Sequence, residues 1–342
     1  MPALDGIRGV AAFSVMVYHL RGSLPVGLGQ AGMELFFVLS GYLITGVVMS
    51  LTYESGRWMR FYSRRARRLF PALYAYILVG VAAAYLLQWP EPQHALAMGI
   101  ASVFYVGNIW QLARPSADIA PFGGLWSLAV EEQFYILWPM AVWGVWRASS
   151  KVRSVALLAI CCVAAAYLVR LVAYQHDWST ARTSYSLDTR AFGLGLGALA
   201  RCVLPPHRLP RRTAQAIAIV AWIVAVAAVI SVTEYTNAMF LGAWAIVAVA
   251  AAIAVGAAAS DGSLGGALSS RPLSFLGRIS YSLYLWHVLV IAVGMPHLHS
   301  VSPVVGQMIL GGISLGVGWL SYRWIEQPFL RRGSRFVSRL HG

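Results

Sequence analysis

Long apolar runs separated by short arginine-rich loops constrain this chain more than any other feature. Of its 342 residues, 59% are hydrophobic and only 11% are charged, whereas a soluble domain carries about 25% charged residues. The apolar runs approach about 20 residues, which is long enough for a helix to cross roughly 30 Å of hydrocarbon. The pattern therefore predicts an all-α, polytopic integral membrane protein built as a helix bundle.

The distribution of charge indicates membrane topology rather than a nucleic-acid partner. The formal net charge is +14, but the arginines cluster in loops between apolar runs, as the positive-inside rule describes. Residues 52–68 form the most basic of these loops. We therefore expect this loop and both chain termini on the cytoplasmic side of a bacterial inner membrane, and we expect no nucleic acid to bind.

Hydropathy and arginine position together predict one transmembrane domain over residues 1–342, with about ten spanning helices and no separate soluble domain. The predicted spans are 4–20, 31–51, 69–87, 124–146, 155–174, 187–204, 214–232, 238–259, 273–294 and 304–325. Residues 88–123 contain only a modest apolar run. We favour an external re-entrant or interfacial segment here, because it keeps Arg147, Lys151 and Arg153 on the cytoplasmic side. An eleventh span is the alternative.

The first two predicted helices carry ionisable side chains, which are costly inside a membrane and usually mark a site or a pathway. Arg8 and His19 are eleven residues apart, so they share one helix face and lie about 16 Å apart. Glu34 and the adjacent pair Glu131 and Glu132 fall at roughly the depth of His19. A carboxylate bonded to one imidazole nitrogen raises the basicity of the other. We therefore expect Glu34 to partner His19, with a purely structural ion-pair cluster as the alternative.

Two further groups of polar residues are candidates for function. Four arginines directly precede the third predicted helix, at Arg64, Arg65, Arg67 and Arg68. Guanidinium forks bind phosphate bidentately, so this run is either a phosphate site or a cluster at the lipid headgroups. A polar stripe lies on the ninth predicted helix and consists of Ser280, Tyr284 and His287, with Tyr281 beside it. The cysteines match no metal spacing, and no metal is expected.

Six segments resemble the membrane-bound acyltransferase-3 family and occur in that family's order. They are LDGIRGVAAFSVMVYH, GMELFFVLSGYLI, FYSRRARRLFPALY, LWSLAVEEQFYILWP, ISYSLYLWH and WIEQPF. The family's arginine and histidine separated by ten residues correspond to Arg8 and His19. Its Arg-x-x-Arg motif corresponds best to Arg65 and Arg68, and its acidic residue before two phenylalanines corresponds to Glu34.

The resemblance implies an enzyme that moves an acyl group, usually acetyl, from cytoplasmic acyl-CoA to a hydroxyl of a carbohydrate or glycoconjugate. The arginines at 64–68 would bind the phosphates of the coenzyme, and Arg8 would steer its pantetheine arm. His19 would act as the general base or as an acyl relay. Glu131, Glu132 and the polar stripe are candidates for acceptor binding or for the oxyanion. Acylation of a macrolide and flipping of a lipid-linked sugar are the alternatives, and any esterase-like step would require a separate soluble partner.

Overall fold

Helices of very different lengths make up the described chain. The computed structural model describes residues 1–21, 27–51, 57–115, 117, 119–206, 208–231, 236–260, 265–298 and 300–331, and among them it contains no β-strand. The first helices are α1 (Pro2–Arg21), α2 (Gly27–Leu51), α3 (Arg57–Leu86), α4 (Pro92–Val103) and α5 (Gly107–Ala113). A 3-10 turn at Phe122–Leu125 precedes α6 (Trp126–Ser149), α7 (Val152–Gln175), α8 (Thr180–Tyr185), α9 (Leu187–Val203) and α10 (Arg211–Ile230). The last helices are α11 (Asn237–Leu241), α12 (Ala243–Ala259), α13 (Gly265–Leu268), α14 (Arg271–Gly294) and α15 (Pro303–Ser321), and a π-helical turn, Tyr322–Glu326, follows.

The prediction of an all-α membrane protein is confirmed. Within the described ranges, seven helical stretches are long and apolar enough to cross a bilayer. They are Gly27–Leu51, Trp58–Leu86, Val152–Gln175, Arg211–Ile230, Asn237–Ala259, Arg271–His297 and Pro303–Arg331. Helices also form at the other three predicted spans, in α1, α6 and α9. Two of these three helices carry candidate site residues, Arg8 and His19 on α1 and Glu131 and Glu132 on α6. All three fall outside the seven, so the count of ten spans stays a prediction.

The loop predicted over residues 52–68 is largely helical. α3 begins at Arg57 and continues through Leu86, so the run Arg64–Arg68 lies on the same helix as the span that follows it. Arginine is a good helix former, and the aromatic residues between the arginines give the first turns of α3 an apolar side. These two features explain why a helix forms where the sequence predicted a loop. Residues 52–56 lie outside the described ranges, as do three arginines of the predicted cytoplasmic end, Arg332, Arg335 and Arg339.

The segment 88–123 contains two short helices. α4 has 12 residues and α5 has 7, which corresponds to about 18 and 10 Å of helix, less than the roughly 30 Å of a bilayer core. On α4, Leu96, Ile100 and the C-terminal Phe104 are 41%, 54% and 71% exposed. Because these residues recur every fourth position, one face of α4 is apolar and open. This favours the re-entrant or interfacial placement, which stays a prediction.

A cysteine-labelling experiment tests that placement. Ser116, the natural choice for a cysteine, lies outside the described residues, so we place the cysteine at exposed Arg114, directly after α5. In a cysteine-free background, we expect Arg114→Cys to react with an impermeant maleimide in intact cells. Arg67→Cys is the control, because that arginine is also exposed but is predicted to be cytoplasmic. Labelling of both variants only after lysis would favour the eleven-span topology.

The chain divides into two units. Unit 1 comprises Met1–Tyr18, Gly22–Tyr53 and Ser127–Arg278, and unit 2 comprises His19–Arg21, Glu54–Trp126 and Ile279–Gly342. In unit 1, α2 packs against α9, and glycines allow their backbones to meet. A Cβ atom at Gly41 would lie 1.9 Å from the Leu194 carbonyl oxygen, and one at Gly197 would lie 1.9 Å from that of Val38. Small residues at such crossings are typical of membrane helices.

Candidate active site

The imidazole of His19 lies against a second imidazole in unit 2. His19 is exposed on the last turn of α1, and its Nδ1 is 3.2 Å from Nε2 of His287. His287 is only 1% exposed, and its Nδ1 is 3.0 Å from the backbone oxygen of Leu283. A hydrogen-bonded chain therefore runs from a buried carbonyl of α14 to an exposed histidine. Within unit 2, His287 is thus a partner of His19, and the predicted partnership of His19 with Glu34 stays a prediction.

The polar stripe predicted on α14 is buried. The exposed fractions are 2% for Ser280, 9% for Tyr284 and 1% for His287. The hydroxyl of Tyr284 donates to the carbonyl oxygen of Gly124 at 2.7 Å, and that of Tyr281 donates to Leu69 at 2.8 Å. A phenol has one proton to donate. An oxyanion role for either tyrosine would therefore require one of these hydrogen bonds to break.

The arginines of α3 form two pairs that differ in exposure. Arg65 and Arg68 are half-buried, whereas Arg64 and Arg67 are exposed. Residues three apart share a helix face, so each pair lies on one face of α3. The pair that the sequence favoured as the motif, Arg65 and Arg68, lies on the less exposed of the two faces.

A buried carboxylate holds Arg68 in place. Oε1 of Glu326 is 3.6 Å from Nε of Arg68, and Oε2 accepts a hydrogen bond from Ser282 at 3.2 Å. Ser321 donates in turn to Ser282 at 3.3 Å. Glu326 is 1% exposed and ends the π-helical turn, a geometry found frequently at functional sites. In the sequence, the WIEQPF segment contributes only to the family resemblance. Its glutamate beside an apolar span was nevertheless a signal for a functional site.

α14 connects this arginine site with the imidazole pair. Ser282 contacts the carboxylate that holds Arg68, and His287 contacts His19. The two α14 residues are five positions apart, which is about 7.5 Å along a helix axis. Unit 2 thus links a basic group and an exposed imidazole to the same helix, the first through Glu326 and Ser282 and the second through His287.

In unit 1, Glu34 lies in a fully buried ionic cluster with two arginines. Its Oε1 accepts a hydrogen bond from Arg190 at 2.7 Å and is 3.7 Å from Nη2 of Arg170. All three side chains are 0% exposed. Arg190 also donates to Gln30 at 3.0 Å and to the Ser184 carbonyl at 2.6 Å. The cluster joins α2, α7 and α9, so the carboxylate lies in an ion-pair cluster of the kind expected as the alternative to a catalytic role.

The cluster carries two guanidinium groups and one carboxylate. Oε2 of Glu34 and Nη2 of Arg170 make no hydrogen bond within the described part of the chain. Gly193 gives the carboxylate its room, because a Cβ atom there would lie 2.7 Å from Oε2. Arg170 instead packs against aromatic rings, with its guanidinium carbon 4.4 Å from the centroid of Phe192, a favourable cation–π distance. An arginine in the middle of an apolar run was the signal for this cluster, since such a residue needs a partner.

The remaining predicted residues of unit 1 lie on α1 and α6. Glu131 and Glu132 are half-buried, and Glu131 accepts a hydrogen bond from Ser40 of α2 at 2.8 Å. Arg8 is 3.6 Å from Asp5, one turn away on α1. The roles of Arg8, Glu131 and Glu132 stay predictions.

Comparison with known proteins identifies the family. The family model described as an acyltransferase domain matches residues 1–323, so the chain belongs to that acyltransferase family. Bacillus subtilis YrhL is 35% identical over 99% of this chain and 56% of its own length. The peptidoglycan O-acetyltransferase OatA of Listeria monocytogenes is 32% identical over 100% of this chain and 57% of its own length. The chain therefore spans a little over half of these relatives, and no solved structure gives a significant match.

Proposed function

We propose that this chain is a membrane O-acyltransferase that moves an acetyl group from acetyl-CoA to a hydroxyl of a cell-envelope glycan. One observation carries the proposal. Within unit 2, α14 contacts His19 directly through His287 and Arg68 indirectly, because Ser282 bonds to the Glu326 carboxylate beside Arg68. In the proposed complex, the phosphates of the donor lie at the arginines and its pantetheine arm extends toward the imidazole of His19.

The family and the relatives support the same chemistry. Transfer between a thioester and a hydroxyl requires that the hydroxyl lose its proton, and histidine is the commonest residue for that task. In direct transfer, His19 takes the proton as the acceptor oxygen bonds to the carbonyl carbon, and the C–S bond breaks to release coenzyme A as the thiolate. In the relay, the imidazole itself takes the acyl group and passes it to the acceptor. The peptidoglycan named for the Listeria relative motivates the choice of a glycan acceptor.

A coenzyme A release assay tests the proposal. Protein purified in lipid receives acetyl-CoA and a cell-envelope glycan extract, and free thiol is measured over time. We expect His19→Ala to lower release by about 10²- to 10⁴-fold, the usual contribution of a positioned base. His297→Ala is the control, because this exposed histidine lies in the turn directly after α14. Equal rates for wild type and His19→Ala would contradict the proposal, and glycan movement without thiol release would indicate transport.

A further inference from the structure

We infer that His287 is a positioning residue for His19, which it holds in the tautomer with hydrogen on Nδ1 and a lone pair on Nε2. The inference rests on the proposed function for its catalytic consequence, but the tautomer follows from geometry alone.

The contacts of His287 determine its own protonation state. Its Nδ1 is 3.0 Å from the carbonyl oxygen of Leu283, and a carbonyl only accepts, so this nitrogen carries hydrogen. A charged ring at 1% exposure would need a buried counter-ion. Among the described residues, its polar and ring contacts are with Leu283, His19 and Tyr284, none of which is a carboxylate. His287 is therefore neutral, and its Nε2 is an acceptor.

The acceptor nitrogen of His287 in turn determines the tautomer of His19. Nε2 of His287 is 3.2 Å from Nδ1 of His19, so the hydrogen between them belongs to His19. A neutral imidazole has one N–H, which makes Nε2 of His19 the basic nitrogen. When that atom gains a proton, Nδ1–H of the imidazolium keeps donating to His287, now as a stronger, charge-assisted hydrogen bond.

The consequence for catalysis is the same in both transfer routes. In direct transfer, Nε2 receives the proton of the acceptor hydroxyl while the new C–O bond forms and the C–S bond breaks. In the relay, the same lone pair attacks the thioester carbon. In either route His287 touches no reacting atom, so it acts through His19.

Nuclear magnetic resonance tests the tautomer directly. The protein is labelled with 15N-histidine in lipid nanodiscs, and His19 is assigned by comparison with His19→Ala. We expect the shifts of an Nδ1–H tautomer for His19 in wild type and in His287→Gln, whose side-chain oxygen can accept the same hydrogen bond. In His287→Leu, which has no acceptor, we expect a change toward the Nε2–H form. An Nε2–H form in wild type would overturn the inference without any variant.

Kinetics test the positioning role. Losing a partner that orients a metal-ligating histidine costs about 10- to 100-fold. We take the same range for His19, so we expect His287→Leu to lower kcat by about that factor and to leave the acetyl-CoA KM within about twofold. His287→Gln should recover most of the rate, and His297→Leu is the control for an exposed histidine in the same unit. Equal kcat values for wild type and His287→Leu would overturn the inference. If His19→Ala stays active while the tautomer is as expected, the proposed function fails and the positioning of His19 stands.

Discussion

Glu34→Gln is expected to lower the thermal stability of the protein sharply. The change removes the negative charge that pairs with the buried guanidinium groups of Arg170 and Arg190. Breaking a buried ion pair by removing one member costs about 3–5 kcal/mol, because the remaining charge stays uncompensated. We therefore expect a large fall in the unfolding temperature of the purified protein, measured by intrinsic fluorescence in detergent.

Asp188→Asn is the matched control for this experiment. Asp188 makes a bidentate pair with Arg182 in the same unit at 2.6 and 2.9 Å, but both side chains are substantially exposed. Exposed pairs contribute about 1 kcal/mol or less, so this variant should unfold near the wild-type temperature. If Glu34→Gln unfolds no earlier than the control yet loses acyl transfer, the predicted catalytic role of Glu34 would replace the structural one. Adding Arg190→Met to Glu34→Gln should restore part of the lost stability.

Replacing both Arg65 and Arg68 with alanine is expected to weaken acetyl-CoA binding by roughly 10²-fold or more. A hydrogen bond to a charged group contributes about 1.5–3 kcal/mol, and each 1.4 kcal/mol corresponds to a factor of ten in affinity. Both side chains are half-buried, and the Glu326 carboxylate pairs with that of Arg68. Calorimetry with acetyl-CoA and protein in nanodiscs measures the change.

The exposed arginines of the same helix supply the control. Arg64→Ala with Arg67→Ala removes the same charge from α3 on the more exposed face. If the site is specific, this double variant should bind acetyl-CoA within about fivefold of wild type. Equal losses for the two double variants would mean that the run attracts anions only through its total charge, as a headgroup cluster does.

Patterns confined to one helix were predictable from the sequence. A period of 3.6 residues predicts that Arg65 and Arg68 share one face of α3 and that the polar stripe shares one face of α14. Both segments are helical in the structure. The long apolar runs likewise predicted the helical membrane fold. Local spacing determines which side chains share a face, and no tertiary information is needed for that.

Contacts between helices were not predictable in the same way. Glu34 was assigned to His19 because the two are close in sequence and similar in depth, whereas its partners come from α7 and α9. Glu326 lies in a π-helical turn that places its carboxylate beside Arg68, and no residue pattern in the segment predicts such a turn. The predicted loop at 52–68 was wrong over residues 57–68, because high charge was taken as a sign of a loop although arginine favours helix.

Because α14 contacts Glu326 through Ser282 and His19 through His287, an insertion between these two residues has a specific consequence. One extra residue between Ser282 and His287 would shift the remaining residues of α14 by about 1.5 Å along the helix axis and rotate them by about 100° relative to Ser282. His287 would then point away from His19, while Glu326 and Arg68 would keep their arrangement. Such a protein should still bind donor but fail to transfer from it, and a compensating deletion in the same interval should restore activity. The number of residues between Ser282 and His287 is thus constrained, because a longer or shorter interval would lower turnover.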